Sequence, residues 1–246
     1  MARTPPKVDL YRPVVWVVGA SRGIGREIAK HFASIGCEVC LSSRSERDLH
    51  KVAKEITSLG GRANIFPGDF SEEHEILKTA KRILKTFQHI DVLINNAGIT
   101  VFKSFLDTTI DEFDDIIDSN LEGPIICIKA VLPSMIKQKK GWIVNILSNA
   151  AVKTFEGSAA YTATKAGLQG VSRVLREEMK PFNIKVTSVI PGPVDTNMWS
   201  ASMRKKHAHR MITAKSVAET ILSIYQLPDD VVVDEIIIRP LLGDID

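Results

Sequence analysis

Short apolar, β-branched runs alternate with longer segments of helical periodicity, and this alternation constrains the fold more than any other feature of the chain. The runs are nearly continuous in apolar residues, as expected of parallel strands that are covered on both faces. The predicted strands are 14–18, 38–42, 63–66, 92–95, 142–147, 185–190 and 235–238, and the predicted helices are 25–34, 46–59, 72–87, 110–137, 159–179 and 216–225. The pattern predicts an α/β fold, a three-layer αβα sandwich around a seven-stranded, mainly parallel sheet.

The length of the chain suits one large domain. With 246 residues, 44% of them hydrophobic, it can bury the core of a single α/β unit, which we expect to span residues 14–246. Residues 1–13 contain three prolines and mixed charges and are expected to form a loosely ordered tail. Residues 197–213 follow a Pro-Gly-Pro turn without clean periodicity, which favours a mobile substrate flap.

Charge, hydropathy and cysteine content exclude several classes of function. The formal net charge of +3 is small and its charges are interspersed, which argues against a nucleic-acid partner. No apolar stretch reaches the roughly 18 residues that a membrane span requires. Three cysteines form no disulfide framework, and Cys37 and Cys40 lie in an apolar strand, which favours a buried pair over a zinc or redox site. We therefore expect a cytoplasmic protein without a membrane partner.

A glycine-rich turn, Gly-Ala-Ser-Arg-Gly-Ile-Gly at residues 19–25, follows the first predicted strand and opens a helix. Glycines permit positive φ and let the backbone approach a pyrophosphate, whose charge then lies at the helix N-terminus. The spacing is G-x3-G-x-G rather than G-x-G-x-x-G. Such turns also arise for steric reasons alone, so the motif predicts a dinucleotide site only in its strand–turn–helix context.

The end of the second predicted strand indicates which dinucleotide would bind. A site for NAD usually has an acid there, which accepts bonds from the ribose hydroxyls, whereas a site for NADP offers arginine. Here the position holds Ser43, followed by Arg44, and Arg22 projects from the glycine turn. Because arginine binds phosphate in a bidentate manner, the sequence favours NADP(H), although both arginines could simply be solvated.

Tyr161 and Lys165 are one helical turn apart, and Ser148 lies thirteen residues before the tyrosine. Residues at i and i+4 share one face of a helix. A free tyrosine has a pKa of about 10, which a neighbouring ammonium group and an oxidised nicotinamide would lower. The pair therefore predicts a proton donor and acceptor that works near neutral pH.

Together these motifs resemble the short-chain dehydrogenase/reductase family from about residue 14 to residue 239. The resemblance rests on the glycine turn, on Asn-Asn-Ala-Gly at 95–98, on the tyrosine–lysine pair and on Pro191 and Gly192 after the sixth strand. It implies a single Rossmann-type domain with catalytic residues Asn120, Ser148, Tyr161 and Lys165. The cofactor-binding residues that it implies are Gly19, Ser21, Arg22, Gly23, Ile24, Gly25, Ser43, Arg44, Asp69, Phe70, Asn96, Ala97, Gly98, Tyr161, Lys165, Pro191, Gly192, Val194 and Thr196.

The resemblance also implies a mechanism. Ser148 and Tyr161 would hydrogen-bond the substrate oxygen, and Tyr161 would transfer the proton. Lys165 would lower the pKa of the tyrosine and bind the nicotinamide ribose, while Asn120 would hold a water that links the lysine to solvent. Two positions depart from the family pattern, since Val18 and Leu147 stand where threonine and a second serine are common.

The substrate is less well indicated. By analogy with the fold, the expected pocket is mostly apolar and is formed by Val101, Phe102, Val152, Phe155, Met198 and Trp199. The glycine turn and Arg44 are similar to those of 3-oxoacyl-acyl carrier protein reductases, which would imply an acyl thioester. Residues 231–240 are instead similar to NADP-dependent 3-hydroxy acid and serine dehydrogenases, or to the sepiapterin-reductase-like branch. The alternatives are a broad carbonyl reductase, a non-catalytic NADP-binding regulator and, as the one least consistent with the sequence, a sugar-nucleotide epimerase.

Three further features concern ligands and partners. Arg204 to Arg210 form a basic run, which would be a solvated face or would meet an anionic substrate or acidic carrier protein. His207 and His209 have no carboxylate close in sequence, so we expect no metal site. The helices at 110–137 and 159–179 are long enough to carry a second apolar face, which predicts a four-helix contact in a homodimer or homotetramer.

Overall fold

The computed structural model describes residues 11–243, and these form one parallel sheet with helices on both faces. The strands are β1 (Val14–Val18), β2 (Glu38–Ser42), β3 (Arg62–Ile65), β4 (Val92–Asn95), β5 (Gly141–Ile146), β6 (Ile184–Pro191), β7 (Val194–Asp195), β8 (Ile212–Thr213) and β9 (Glu235–Ile238). Seven of them pair in the order β3-β2-β1-β4-β5-β6-β9, and every pair is parallel. The predicted Rossmann-type fold is confirmed.

The helices form the two outer layers. They are α1 (Gly23–Ser34), α2 (Glu46–Ser58), α3 (Glu73–Phe87), α4 (Ile110–Ile117), α5 (Gly123–Gln138), α6 (Ala159–Met179), α7 (Ala201–His207) and α8 (Ala214–Tyr225). Alternate side chains of β1 divide between the two cores: Val15 and Val17 pack with α1, α2 and α8, whereas Trp16 packs with α3, α5 and α6. This division explains why the strands are apolar throughout.

The predicted helix at 110–137 is helical throughout, but it is not one regular α-helix. A π-helical turn at Asp118–Glu122 separates α4 from α5. Gly123 lies against the carbonyl oxygen of Phe70 so closely that a Cβ would overlap it. Pro124 is the second residue of α5 and has no N–H to donate to the carbonyl of Asn120, four residues earlier. The missing donor and the close backbone contact account for the irregular turn.

The predicted flap contains more regular structure than its sequence indicates. Residues 201–207 form α7, and the strands β7 and β8 pair on either side of the segment, with Val194 opposite Ile212. Arg204 donates to the Asp195 carboxylate over 2.6 Å and to the Asn197 side-chain oxygen over 2.7 Å. The segment is therefore fastened at its base, and its mobility stays a prediction.

The predicted N-terminal tail lies mostly outside the described residues. Tyr11 stacks on His89 at a centroid distance of 5.2 Å and donates a hydrogen bond to Asp91. The Asp91 carboxylate also accepts the Val14 N–H over 2.7 Å. Cys37 and Cys40 are buried with free thiols, as predicted. Among residues 11–243, no helix combines the length and the apolar character that a membrane crossing requires.

Candidate active site

A cleft of about 990 Å³ opens at the carboxyl ends of the parallel strands. It lies where the strand order reverses between β1 and β4, which is the usual ligand position in an open α/β sheet. The structure brings most of the predicted cofactor residues to its wall, namely Gly19, Ser21, Arg22, Gly23, Ile24, Ser43, Arg44, Asp69, Phe70, Asn96, Ala97, Gly98, Tyr161, Lys165, Pro191, Gly192, Val194 and Thr196. Gly25 lies behind this wall, within α1.

The glycine turn is held in one conformation by its neighbours. Gly19 has a φ of +83°, and a Cβ built on it would lie 2.7 Å from the Ala97 nitrogen. The Asn96 side chain donates to the Gly19 carbonyl over 3.0 Å, and the Gly19 N–H donates to the Ser42 carbonyl over 2.8 Å. A Cβ on Gly25 would overlap the same Gly19 carbonyl. The turn therefore leaves backbone exposed to the cleft, and side chains are excluded at both glycines.

The end of β2 offers positive charge and no acid. Arg44 is 68% exposed, and its guanidinium lies 4.0 Å from the Asp69 carboxylate. Arg22 is exposed on the glycine turn. The Ser43 hydroxyl is buried and has no hydrogen-bond partner among residues 11–243, although the residue lines the cleft. An unpaired hydroxyl and two arginine side chains in the lining of one cleft fit the 2′-phosphate of NADP(H).

Tyr161 and Lys165 lie on the first turns of α6, and both are buried, with exposures of 8% and 4%. The Lys165 ammonium donates to the Ile146 carbonyl at the end of β5 over 2.9 Å and lies 5.6 Å from the centre of the Tyr161 ring. Ser148 follows β5 and accepts a hydrogen bond from the Ala150 N–H over 3.2 Å. The structure thus brings the three predicted residues to one end of the cleft.

Burial dominates the protonation of this group. It raises the pKa of Tyr161 above its ordinary value, while a hydrogen-bonding interaction with Ser148 lowers that pKa. It also lowers the pKa of Lys165 to about 8. The protein's own groups therefore do not depress the tyrosine pKa in the way that the sequence predicts, since removal from water is the larger effect here.

Asn120 lies in the π-helical turn and is fully buried. Its side-chain oxygen accepts the Ile99 N–H and its amide donates to the Ile99 carbonyl, each over 2.8 Å, so it fixes the loop that follows β4. Its main-chain carbonyl lacks the usual α-helical donor because residue 124 is proline. The predicted water would thus be held more readily by the main-chain carbonyl than by the occupied amide. A Cβ built on Gly98 would lie 3.0 Å from the Asn120 side-chain oxygen and 3.7 Å from the Lys165 nitrogen.

Four of the six predicted pocket residues, Phe102, Phe155, Met198 and Trp199, line the cleft. The rings of Phe102 and Trp199 stack across it with centroids 6.3 Å apart and planes 20° apart. Val101 is outside the lining, whereas its neighbours Thr100 and Phe102 are part of it. Val152 is also outside and is 49% exposed at the end of a 3-10 turn.

The structure adds residues that the sequence did not single out. Met203 of α7 and Thr100 line the cleft, and the buried hydroxyl of Thr100 has no hydrogen-bond partner among residues 11–243. The position of Met203 follows from the helix at 201–207, for which the sequence carries no periodic signal. The described part of the chain has no group of three or more metal-ligating side chains.

Known proteins share this arrangement over nearly the whole chain. Residues 13–207 match the protein family described as short chain dehydrogenase. A sepiapterin reductase of Chlorobaculum tepidum is 33% identical over 239 residues, which are 94% of this chain and 98% of the relative. An uncharacterized oxidoreductase of Staphylococcus epidermidis is 32% identical over 244 residues, 98% of this chain and all of the relative.

Two solved structures are similar. A metagenomic short-chain oxidoreductase in complex with NADP superposes with a TM-score of 0.84 at 33% identity, over 94% of this chain and 98% of its own. An alcohol dehydrogenase from the archaeon Thermococcus sibiricus, complexed with 5-hydroxy-NADP, gives a TM-score of 0.88 at 27% identity, over 96% of this chain and all of its own.

Proposed function

This chain belongs to the short-chain dehydrogenase family, and from that premise we propose that it is an NADP(H)-dependent oxidoreductase acting on a carbonyl or secondary alcohol. The observation that carries the proposal is the convergence of Ser148, Tyr161 and Lys165 on the cleft that also contains the glycine turn. A cofactor-binding regulator would not need this buried group, since burial of a lysine and a tyrosine without a chemical role costs stability.

The glycine turn binds the pyrophosphate through its backbone, and Arg44, Arg22 and Ser43 bind the 2′-phosphate. Support comes from the exposed guanidinium of Arg44 and from the missing acid at the end of β2. Two similar structures carry NADP or a derivative of it, in agreement with this assignment. Asp69 lies at the adenine end, where its carboxylate also accepts hydrogen bonds from the Ser71 N–H and hydroxyl.

NADP(H) supplies or accepts the hydride at its nicotinamide ring. Ser148 and Tyr161 hold the substrate oxygen between them, so that the carbon faces the cofactor. Tyr161 gives its phenolic proton to that oxygen in reduction and takes it back in oxidation. Because burial raises the pKa of Tyr161, the phenol stays protonated and ready to donate until a nearby positive charge favours the phenolate.

Lys165 positions Tyr161 and helps to reprotonate it. One of its three N–H donors is fixed on the Ile146 carbonyl, which leaves two for a ribose hydroxyl and for the proton path. With a pKa of about 8, the lysine is mostly protonated at pH 7 yet can release a proton within the physiological range. The main-chain carbonyl of Asn120 completes the path by holding a water that reaches solvent.

The substrate is a 3-oxoacyl thioester or a 3-hydroxy acid bound beside Phe102, Phe155, Met198 and Trp199, with residues 197–213 acting as its flap. The sepiapterin reductase relative favours a broad carbonyl reductase as the alternative. Residues 14–246 act as one domain, and α4, α5 and α6 form the contact between subunits of a cytoplasmic homo-oligomer.

The proposal is tested by NADPH and NADH oxidation with a carbonyl panel of 3-oxoacyl thioesters, 3-oxo acids, a diketone and an aromatic aldehyde. Tyr161→Phe is the matched control, since it removes only the hydroxyl. Turnover with NADPH that is lost in this variant is expected. Full activity of Tyr161→Phe, or no turnover in either direction of the reaction, would contradict the proposal.

A further inference from the structure

The flap carries an unusual concentration of positive charge. Six of the seven residues from 204 to 210 are basic or titratable, and no acid occurs between residues 196 and 218. We call these six side chains the α7 cation cluster; they are Arg204, Lys205, Lys206, His207, His209 and Arg210. The apolar substrate pocket does not account for this charge.

The cluster begins at the rim of the cleft. Trp199 and Met203 line the cleft, and α7 runs from Ala201 to His207. Residues three and four positions apart share a helix face, so Lys206 and His207 lie on the Met203 side, about 4.5 to 6 Å further along the axis. A group that extends one helical turn beyond a substrate lying beside Met203 would reach these two side chains.

The charges of Lys205 and Lys206 are unbalanced within the described chain. Arg204 is neutralised by Asp195, but Lys205 and Lys206 form no ion pair with any residue among 11–243. The positive neighbours Lys206, Arg210 and His209 contribute, after burial, to a lowered pKa of His207. Such mutual repulsion is relieved by a bound anion.

The cleft itself is lined by charges of both signs. Its acids are Asp48, Asp69, Glu72, Asp115 and Asp118, and its basic residues are Arg22, Arg44 and Lys165. Because the proposed function assigns Arg22 and Arg44 to the cofactor phosphate and Lys165 to the tyrosine, the flap offers further positive charge to a substrate.

We propose that the α7 cation cluster recognises a negatively charged group, a carboxylate or phosphate, on a small-molecule substrate whose apolar body lies beside Phe102 and Trp199. This inference rests on the proposed function and narrows it to anionic carbonyl compounds. A small molecule fits better than an acidic protein, because α7 is only about 10 Å long whereas a specific protein interface covers about 800 Å² per partner.

The test compares 4-carboxybenzaldehyde with its methyl ester, two aldehydes that differ in a remote negative charge and in the methyl group that masks it. The variant is Lys205→Gln with Lys206→Gln, and the matched control is Lys81→Gln with Lys85→Gln, which removes the same charge from two exposed lysines of α3. At saturating NADPH and low salt, kcat/KM for the acid should fall roughly fivefold in the flap variant, through KM, and remain unchanged in the control. kcat/KM for the ester should be unchanged in both double variants.

Calorimetry gives a second readout that needs no turnover. The acid should bind the NADP⁺-loaded flap variant roughly fivefold more weakly than wild type, and 0.5 M salt should remove the difference. Equal losses for acid and ester, or equal losses in the two double variants, would overturn the inference. So would a variant effect confined to substrates attached to an acidic carrier protein. Ester turnover that depends on Tyr161 tests the proposed function separately.

Discussion

Substituting Gly19 by alanine tests whether the glycine turn shapes the cofactor site. A Cβ at this position would lie 2.7 Å from the Ala97 nitrogen, so the turn must move by about 0.7 Å to reach an ordinary contact of 3.4 Å. The residue also has a φ of +83°, which costs an L-residue about 1–2 kcal/mol. Overpacking adds about 1–3 kcal/mol.

Gly36 is the matched control, because its φ is +89° but a Cβ there would meet no atom within 4 Å. Gly36→Ala therefore isolates the backbone strain and should lower Tm by roughly 5 °C, whereas Gly19→Ala should lower it by roughly 10 °C. The 0.7 Å displacement separates the turn from the Asn96–Gly98 wall, so NADPH affinity should fall roughly a hundredfold in Gly19→Ala alone.

Differential scanning calorimetry gives the stability change, and fluorescence titration with NADPH gives the affinity. An unchanged Kd in Gly19→Ala would refute the assignment of the turn to the pyrophosphate. A Kd weakened equally in both variants would show that loss of stability, and not the shape of the turn, reduces binding.

The remaining predictions concern cofactor choice, the buried lysine and assembly. Arg44→Asp should lower the affinity for NADPH far more than the affinity for NADH in parallel titrations. If both affinities are the same in the variant as in wild type, Arg44 is only a surface residue. Lys165→Met should abolish turnover but should melt roughly 5 °C higher than wild type at pH 7. In wild type, charging a buried amine whose pKa is lowered from 10.5 to about 8 costs about 3 kcal/mol of stability, and the variant avoids this cost. The variant also loses the hydrogen bond to Ile146, which offsets about 1 kcal/mol of the gain. The cost of charging Lys165 is full below pH 8 and vanishes above about pH 10.5. The difference in Tm between Lys165→Met and wild type should therefore close in alkaline buffer, and a difference that persists there would contradict the prediction. Light scattering at micromolar concentration should show that the wild type is a dimer or tetramer. Gly170→Arg, which changes a residue on the exposed face of α6, should be a monomer. A monomeric wild type would disprove the four-helix contact.

Much of the fold could be predicted because both sides of the sheet are covered. Every residue of β1 is buried, which produces an unbroken apolar run rather than an alternation. The positions of Tyr161 and Lys165 could be predicted for a similar reason, since a spacing of four on a helix fixes their relation before any tertiary structure is known.

Other features depend on contacts between distant segments and leave no local signal. The irregular turn at Asn120 requires the carbonyl of Phe70, some fifty residues earlier, to approach Gly123. Helix α7 carries charged residues around much of its surface, so no apolar period reveals it. Which of Val101 and Phe102 faces the cleft is decided by the path of a loop, and the sequence alone gave both equal weight.

The pairing of β7 with β8 has a practical consequence for protein engineering. It holds Val194 beside Ile212 and Asp195 beside Thr213, so the two ends of the intervening chain stay together whatever lies between them. Doubling the length of such a loop adds only about 0.6 kcal/mol of closure entropy. Residues 197–211 can thus be exchanged as a cassette, which would change substrate range while Thr196, the seven-stranded sheet and the residues on α6 remain untouched.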